Sequence, residues 1–433
     1  MSPYIHERIM EASGISGRYE LFDIDPKEID RYAPILMREL HGFNVTIPYK
    51  EKIIKYLDGL DPRAGRLRAV NTVFEKRGYN TDRDGFSACA VDMSNKNVLI
   101  LGAGGVARML AFEAADAGAN IDILAVLRDQ AETLARDLGP FAKAVRIADS
   151  EEDAARRNPD VVLNATPLGM WPKCAAVPEF SKYLTADTVV FDTVYNPPAT
   201  RFVLAARKVG AQATGGLPML FHQALAAQKI WNPDAEFSES RLLPILKDLP
   251  KEILKKSPVK IIVTGFMGSG KSTVGRQIAE RLGIAFIDLD EEIRRVCGCS
   301  IEEIFERDGE SAFRKIETDV YREYMKRPGS LLIATGGGLI VQEENRVITE
   351  EYGALNVYLD APLAVLWERI KAERGRPLAG SGDEPEAERF TKVARLFEAR
   401  LPDYKRYADV IITADREPED IARDTVTAIG YGG

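Results

Sequence analysis

The sequence predicts an α/β protein built in two successive parts, and three features carry that expectation. Short β-branched runs alternate with amphipathic helical patterns along the 433 residues, as in VVLNATPLG at 161–169, TVVFDTVYN at 188–196 and LNVYLD at 355–360. That order produces parallel sheets with helices laid on their faces. Two glycine-rich strand–turn–helix signatures, Val98–Phe112 and Val259–Ala279, stand one in each half. Between them, residues 233–258 are rich in Pro, Glu, Asp and Lys, with LLPILKDLPKEILKKSP reading as a short helix followed by a linker. The two glycine motifs differ in chemistry, so the halves are not a duplication.

Composition narrows the class. Hydrophobic residues make up 45% and charged residues 29%, enough apolar material for several cores. A formal charge of −8 argues against a general nucleic-acid or anionic-membrane binder, so anionic ligands must be held by local basic clusters. Cys89, Cys174, Cys297 and Cys299 are too scattered for a disulfide framework and read as free thiols. His6, His41 and His222 form no metal-binding pattern. The opening MSPYIHERIM lacks the layout of a signal peptide, and no apolar run is long enough to span a bilayer, so a cytoplasmic location is expected.

In the N-terminal half, GFNVTIPYKE (42–51), RAVNT (68–72) and YNTDRDGF (79–86) bring a lysine, Lys50, and an aspartate, Asp82, together with Thr46 and Asn71. Reducing a ketone with hydride needs a proton donor beside the carbonyl, which a Lys–Asp pair can supply. The alternative is an ordinary surface ion pair. Downstream, Gly102, Gly104, Gly105 and Ala107 follow a strand and open a helix, the context that a dinucleotide-binding turn requires. The next strand, IDILAVL, runs into Arg128-Asp129. An arginine there suits the 2′-phosphate of NADP and an acid the 2′-hydroxyl of NAD, so Arg128 favours NADP(H) while Asp129 keeps NAD open.

In the C-terminal half, Gly265–Thr273 reads GFMGSGKST, a P-loop. Backbone N–H groups of Gly268, Ser269 and Gly270 can turn toward phosphates, Lys271 can neutralise them, and Ser272 suits Mg²⁺, with Thr273 beginning the helix. This predicts ATP binding. FIDLD then places Asp288 and Asp290 at the end of a probable strand, where i and i+2 share a face; one carboxylate can serve the metal side and the other an acceptor hydroxyl. SIEEIFERDGESAFRKIE (300–317), TGGG (335–338), RGRPLAG (374–380) and EARLPDYKRYAD (398–409) follow.

These C-terminal segments, in this order from Lys260 onward, resemble shikimate kinase. The resemblance implies Mg²⁺-dependent phosphoryl transfer from ATP to the 3-hydroxyl of shikimate, on a P-loop NTPase-type three-layer α/β fold. By position, Asp290 would bind the shikimate hydroxyls and help activate the nucleophile, with Asp288 on the metal side. Arg314 and Arg400 would clamp the carboxylate, and Gly336, Gly337 and Gly338 would let backbone approach the substrate. Arg376 would be the lid arginine, while Arg369 and Pro418 would contact the adenine. RPLA stands where the family usually has RPLL. Another small-molecule kinase or a nucleotide-regulated binding protein is the competing reading, and FR-x-x-E, TGGG and R-x-P-x-Y argue against both.

From Ser2 to about Asn232 the chain resembles shikimate dehydrogenase, through NVTIPYK, AVNT, NTD, GAGG, NATPLGM and GGLPMLFHQA. The implied reaction is NADP-linked reduction of 3-dehydroshikimate to shikimate. Lys50 and Asp82 would be the catalytic pair, with Ser2, Thr46, Asn71, Tyr195 and Gln223 around the substrate. Gly102, Gly104, Gly105, Arg128 and Met219 would hold the cofactor. Leu127 replaces a common asparagine. The family opens with a strand and a G-x-P-x-x-H-S-x-S-P motif, whereas this chain begins Met1-Ser2-Pro3 and keeps the second serine; the expectation is a translation start lying further upstream. The expected domains are 1–84 for substrate, with 218–248 returning to it, 85–217 as a Rossmann NADP-binding domain, 249–258 as linker and 259–433 as kinase. Together they predict a bifunctional enzyme acting on small molecules, without nucleic-acid or membrane partners. An active kinase fused to a weak or non-catalytic dehydrogenase-like module, or an NAD-using quinate/shikimate dehydrogenase, remains the alternative.

Overall fold

The computed structural model describes residues 1–372 and 384–432. It divides into two compact units, Met1–Met170 with Val177–Leu249, and Trp171–Ala176 with Pro250–Gly433. No described helix is long and apolar enough to cross a membrane.

The first unit contains two sheets. The smaller has the order Gly42–Asn44, Thr72–Phe74, Arg77–Tyr79, Gly59–Leu60. Its central hairpin turns through Glu75 and Lys76, both at positive φ (46° and 55°), the twist that a two-residue hairpin needs. Ile29, Ala33, Phe43, Val45, Ile53, Ala64, Val70 and Val73 form the core beneath it. The chain opens in a helix, Ser2–Ala12, and residues 13–25 contain no strand. The helix Leu217–Trp231 packs back onto this region: the Trp231 indole donates to the Val73 carbonyl at 3.0 Å. It also lies so close over Gly42 that a Cβ there would stand 2.3 Å from the ring.

The larger sheet is six-stranded and parallel, in the order Gln212–Thr214, Val189–Asp192, Val161–Asn164, Asn97–Leu101, Asn120–Leu124, Ala144–Ile147. Val98–Leu101 and Val161–Asn164 are buried throughout, as strands covered on both faces must be. Counting along this sheet the order is 3-2-1-4-5-6, and it reverses between Asn97–Leu101 and Val161–Asn164. Ligands of such sheets bind at that reversal. The strand expected to reach Leu127 ends at Leu124; Ala125–Leu127 bridges to a helix beginning at Arg128.

In the second unit five parallel strands take the order Ala285–Asp288, Leu331–Ala334, Lys260–Thr264, Leu355–Asp360, Val410–Thr413. The first strand in sequence is thus central, and the phosphate loop leaves from its C-terminal end. The segment expected to be a linker at 249–258 is helical as far as Lys256, within one helix Glu239–Lys256. Leu249, Ile253 and Leu254 are buried in it, at the i, i+4, i+5 spacing of one helix face.

Candidate active sites

In the first unit, Asp82 sits in the first turn of the helix Thr81–Ser87. Lys50 lies in the turn after Val45, and its carbonyl accepts from the Val70 amide at 2.8 Å, which ties the turn to the sheet. The Lys50 and Asp82 side chains meet at 2.6 Å, both about four-fifths buried (22% and 18% exposed). Asn71 donates to the other Asp82 oxygen at 2.9 Å. Each carboxylate oxygen therefore has its own partner, and both residues of the pair line a cavity of about 300 Å³.

Ser2, Thr46, Asn71, Tyr195, Met219 and Gln223 line that cavity with Lys50 and Asp82. Residues from both ends of the unit are brought together by close packing. A Cβ at Gly85 would stand 2.5 Å from the Met219 carbonyl, so only glycine lets the Asp82 helix reach the helix carrying Gln223. Gly216 is equally constrained, its Cβ position 2.2 Å from the Thr193 carbonyl. Thr193 and Gly216 line the cavity too, and neither was expected from sequence.

Val106, beside the glycine turn, also lines the cavity, so the turn adjoins the Lys50–Asp82 pair. Gly102 has φ of 103° and sits against the Ala165 carbonyl at the sheet reversal. Gly104 and Gly105 face open space, and the helix Gly105–Asp116 has no side-chain cap at its start. Arg128 is engaged by Asp149 at 2.7 Å and Glu132 at 3.3 Å, and these carboxylates raise its pKa.

In the second unit, Gly265, Gly268 and Gly270 have φ of 152°, 81° and 86°. The loop delivers the uncapped N-terminus of the helix Lys271–Leu282, with Ser272 and Thr273 exposed in its first turn. Lys271 Nζ donates to the Phe266 carbonyl at 2.9 Å, folding the side chain back over the loop, and the Ser269 hydroxyl is buried without a hydrogen-bond partner among the described residues. Arg369 donates to the carbonyls of Gly268 (3.2 Å) and Ala414 (3.1 Å), joining the loop to the segment that leads to Pro418, the first residue of the last helix.

The expectation that Asp288 and Asp290 share a strand face is corrected by the structure. Asp288 is the last strand residue and caps the helix Leu289–Cys297, accepting from the amides of Asp290 and Glu291 at 3.1 and 3.2 Å. Asp290 is already in the first helical turn, so helical rather than strand geometry sets its direction. Its carboxylate and that of Glu317 flank Gly336, where a Cβ would stand 3.0 and 2.6 Å from them. Glu317 is fully buried; burial, with Asp290 adding, pushes its pKa up against the pull of Arg314 and Arg400. Arg314 pairs with Glu317 at 2.8 Å and Glu310 at 3.0 Å, and a kink at Gly309 (φ 82°) separates this stretch from the start of its helix, Ile301–Lys326. Arg400 is buried beside Gly337, and Tyr404 donates to the Gly337 carbonyl. Arg314 lies against Gly338. Arg376 lies outside the described residues. Glu317 was legible only as the last letter of FR-x-x-E; nothing in the sequence showed that it faces Asp290.

A family model for the shikimate dehydrogenase substrate binding domain matches residues 1–73, and one for shikimate kinase matches residues 267–430. The shikimate dehydrogenase (NADP(+)) of Moorella thermoacetica is 37% identical, over 53% of this chain and 83% of that protein. A solved shikimate dehydrogenase in complex with NADP+ is 34% identical with a TM-score of 0.51, covering 57% of this chain and 90% of that one. A second, from Thermus thermophilus in complex with NADP(H) and shikimate, is 30% identical with a TM-score of 0.51, covering 57% and 93%.

Proposed function

We propose, for a chain that belongs to the shikimate dehydrogenase family and carries a shikimate kinase domain behind that part, that it catalyses two consecutive reactions. The first is NADPH-linked reduction of 3-dehydroshikimate to shikimate; the second is phosphorylation of the 3-hydroxyl of shikimate by ATP. A cytoplasmic setting belongs to the same proposal.

The observation that carries the first step is the Lys50–Asp82 pair opening into a cavity that also meets the glycine-turn helix at Val106. When bound, NADPH supplies the hydride to the carbonyl carbon. Lys50, oriented by Asp82, protonates the oxygen as it becomes a hydroxyl, and takes that proton back in the reverse direction. Ser2, Thr46, Asn71, Tyr195 and Gln223 hold the ring substituents. The open space at Gly104 and Gly105 and the uncapped helix behind them fit a pyrophosphate, and Arg128 would face the 2′-phosphate. NAD is the second reading, favoured by Asp129 and by the carboxylates already on Arg128.

For the second step, Gly270, Lys271 and the uncapped helix fit the phosphates of ATP, with Arg369 and Pro418 toward the base and Arg376 as the lid arginine. Among the described residues no group of three His, Cys, Asp or Glu could hold a metal. Mg²⁺ at Ser272 and Asp288 would therefore share its coordination with phosphate and water, as that ion commonly does. When bound, MgATP supplies the phosphoryl group. Asp290 orients the 3-hydroxyl and accepts its proton, while Arg314 and Arg400 hold the carboxylate over Gly336–Gly338.

Separate assays of the two reactions on the purified full chain test this. Lys50→Ala should lower reduction by about 10²–10⁴-fold and leave shikimate phosphorylation unchanged; Lys271→Ala should do the reverse. A wild-type chain that phosphorylates shikimate but does not oxidise NADPH with 3-dehydroshikimate would instead make the first unit a non-catalytic module.

A further inference from the structure

Asn71 presents an amide whose orientation matters, because only its NH₂ end can donate to Asp82. A carboxamide can turn over by 180°, which would set its oxygen against the Asp82 carboxylate. Three donors converge on Asn71 Oδ1: the Thr81 amide at 2.7 Å, the Thr72 hydroxyl at 3.0 Å and the Thr81 hydroxyl at 3.2 Å. Thr72 in turn accepts from Asn44 Nδ2 at 3.0 Å, and Asn44 Oδ1 accepts from the Tyr19 hydroxyl at 2.9 Å. The Thr72 and Thr81 hydroxyls also lie 3.1 Å apart, and because they cannot both donate to each other, at least one of their two protons falls on Asn71 Oδ1. Thr72 and Thr81 are fully buried, and neither lines the cavity.

We infer that Thr72 is a positioning residue of the dehydrogenase site, locking the Asn71 amide so that its NH₂ holds Asp82 and Asp82 holds Lys50. The inference rests on the proposed roles of Lys50 and Asp82, but the lock itself is a property of the side chains. A turned-over amide would bring NH₂ against the Thr81 backbone N–H, which cannot accept, force both threonine hydroxyls to turn round, and set an oxygen against a carboxylate, at buried positions where unmatched polar groups are costly. Thr81 retains one backbone donor to Asn71 whatever its side chain, so the removable part of the lock is the Thr72–Thr81 hydroxyl pair, in which Thr72 has the shorter contact to Asn71. Thr72 also begins a strand between Gly42–Asn44 and Arg77–Tyr79, so a β-branched replacement keeps the sheet.

The test compares Thr72→Val and Thr72→Ser in the full chain. Thr72→Val should lower kcat for shikimate oxidation by about five- to tenfold with KM for NADP+ unchanged, and Thr72→Ser should restore kcat to within about twofold. Independently of any activity, selective ¹⁵N-asparagine labelling reports the Asn71 NH₂, its signal assigned by its loss in Asn71→Asp. Hydrogen exchange of that NH₂ should quicken about tenfold in Thr72→Val and return toward wild type in Thr72→Ser. Unchanged exchange in Thr72→Val overturns the lock. A wild-type chain inactive as a dehydrogenase, but with exchange responding as expected, overturns the functional reading and leaves the lock standing. Loss of kcat that Thr72→Ser does not restore shows a packing role and also overturns the inference.

Discussion

The guanidinium of Arg128 is held by Asp149 and Glu132, with Asp129 beside it in sequence. A 2′-phosphate approaching Arg128 must displace the Asp149 carboxylate, whereas a 2′-hydroxyl need not. The pair is exposed, so the penalty is modest. Asp149→Asn is expected to lower KM for NADPH by about two- to fivefold and leave KM for NADH nearly unchanged, read from initial rates with each cofactor. Equal response to both cofactors would remove Arg128 from the 2′ position. The sequence showed Arg128 and Asp129 together; Asp149, 21 residues on, was joined to them by a neighbouring strand.

Glycines at the junctions of elements divide into those that yield and those that cannot. At Gly338 a Cβ would meet the Arg314 guanidinium at 2.5 Å, the far end of a flexible side chain. Gly338→Ala should therefore push Arg314 aside, raise KM for shikimate in the kinase reaction about tenfold and lower the thermal midpoint at which kinase activity is lost, because the pair with buried Glu317 is loosened. At Gly216 the Cβ would stand 2.2 Å from the Thr193 carbonyl, which is backbone and cannot move away. Gly216→Ala should cost about 1–3 kcal/mol of stability and lower the midpoint at which dehydrogenase activity is lost, with kinase activity retained. Thermal inactivation curves of the two activities check both expectations.

Across the first unit, burial of ionisable groups sets how stability follows pH. His6 is fully buried, stacked on Tyr19 with ring centroids 4.2 Å apart and bonded to Gln228 at 3.0 Å. Burial holds its pKa down to about 3, against 6.5 in the unfolded chain. Between those values the unfolded chain binds a proton that the folded one refuses, so this group's stability contribution falls as pH drops from 6.5, by about 1.4 kcal/mol per unit. Asp192 works in the opposite direction: burial raises it to about 6, so the folded unit keeps a proton that the unfolded chain releases above 3.8. The clean measurement is a difference. The stability advantage of wild type over His6→Gln in denaturant unfolding should narrow as pH falls from 6.5 toward 4; an advantage constant over that range would show that His6 titrates in the folded unit.

The α/β class, the two glycine turns and the short motifs that supply both candidate sites were legible in the sequence, because each depends on residues close together along the chain. Strand–glycine–helix order leaves a helix N-terminus with backbone N–H groups open to an anion. What the sequence could not show is which distant partner each side chain meets. Asp288 and Asp290 were expected on one strand face, until the start of a helix made Asp288 its cap and put Asp290 in its first turn. Glu317 was placed beside Asp290 only by their common approach to Gly336. The stretch expected to be a linker is helical as far as Lys256, with Leu249, Ile253 and Leu254 buried. Thr72 entered the dehydrogenase site through Asn71, its neighbour in sequence, yet its role depends on Asn44 and Thr81 arriving from other elements. Local propensity acts over a few residues, so the sequence by itself determined the elements and their chemistry. Hydrogen-bond partners and close glycine contacts exist only once remote segments pack, so the tertiary structure alone decided which groups act together.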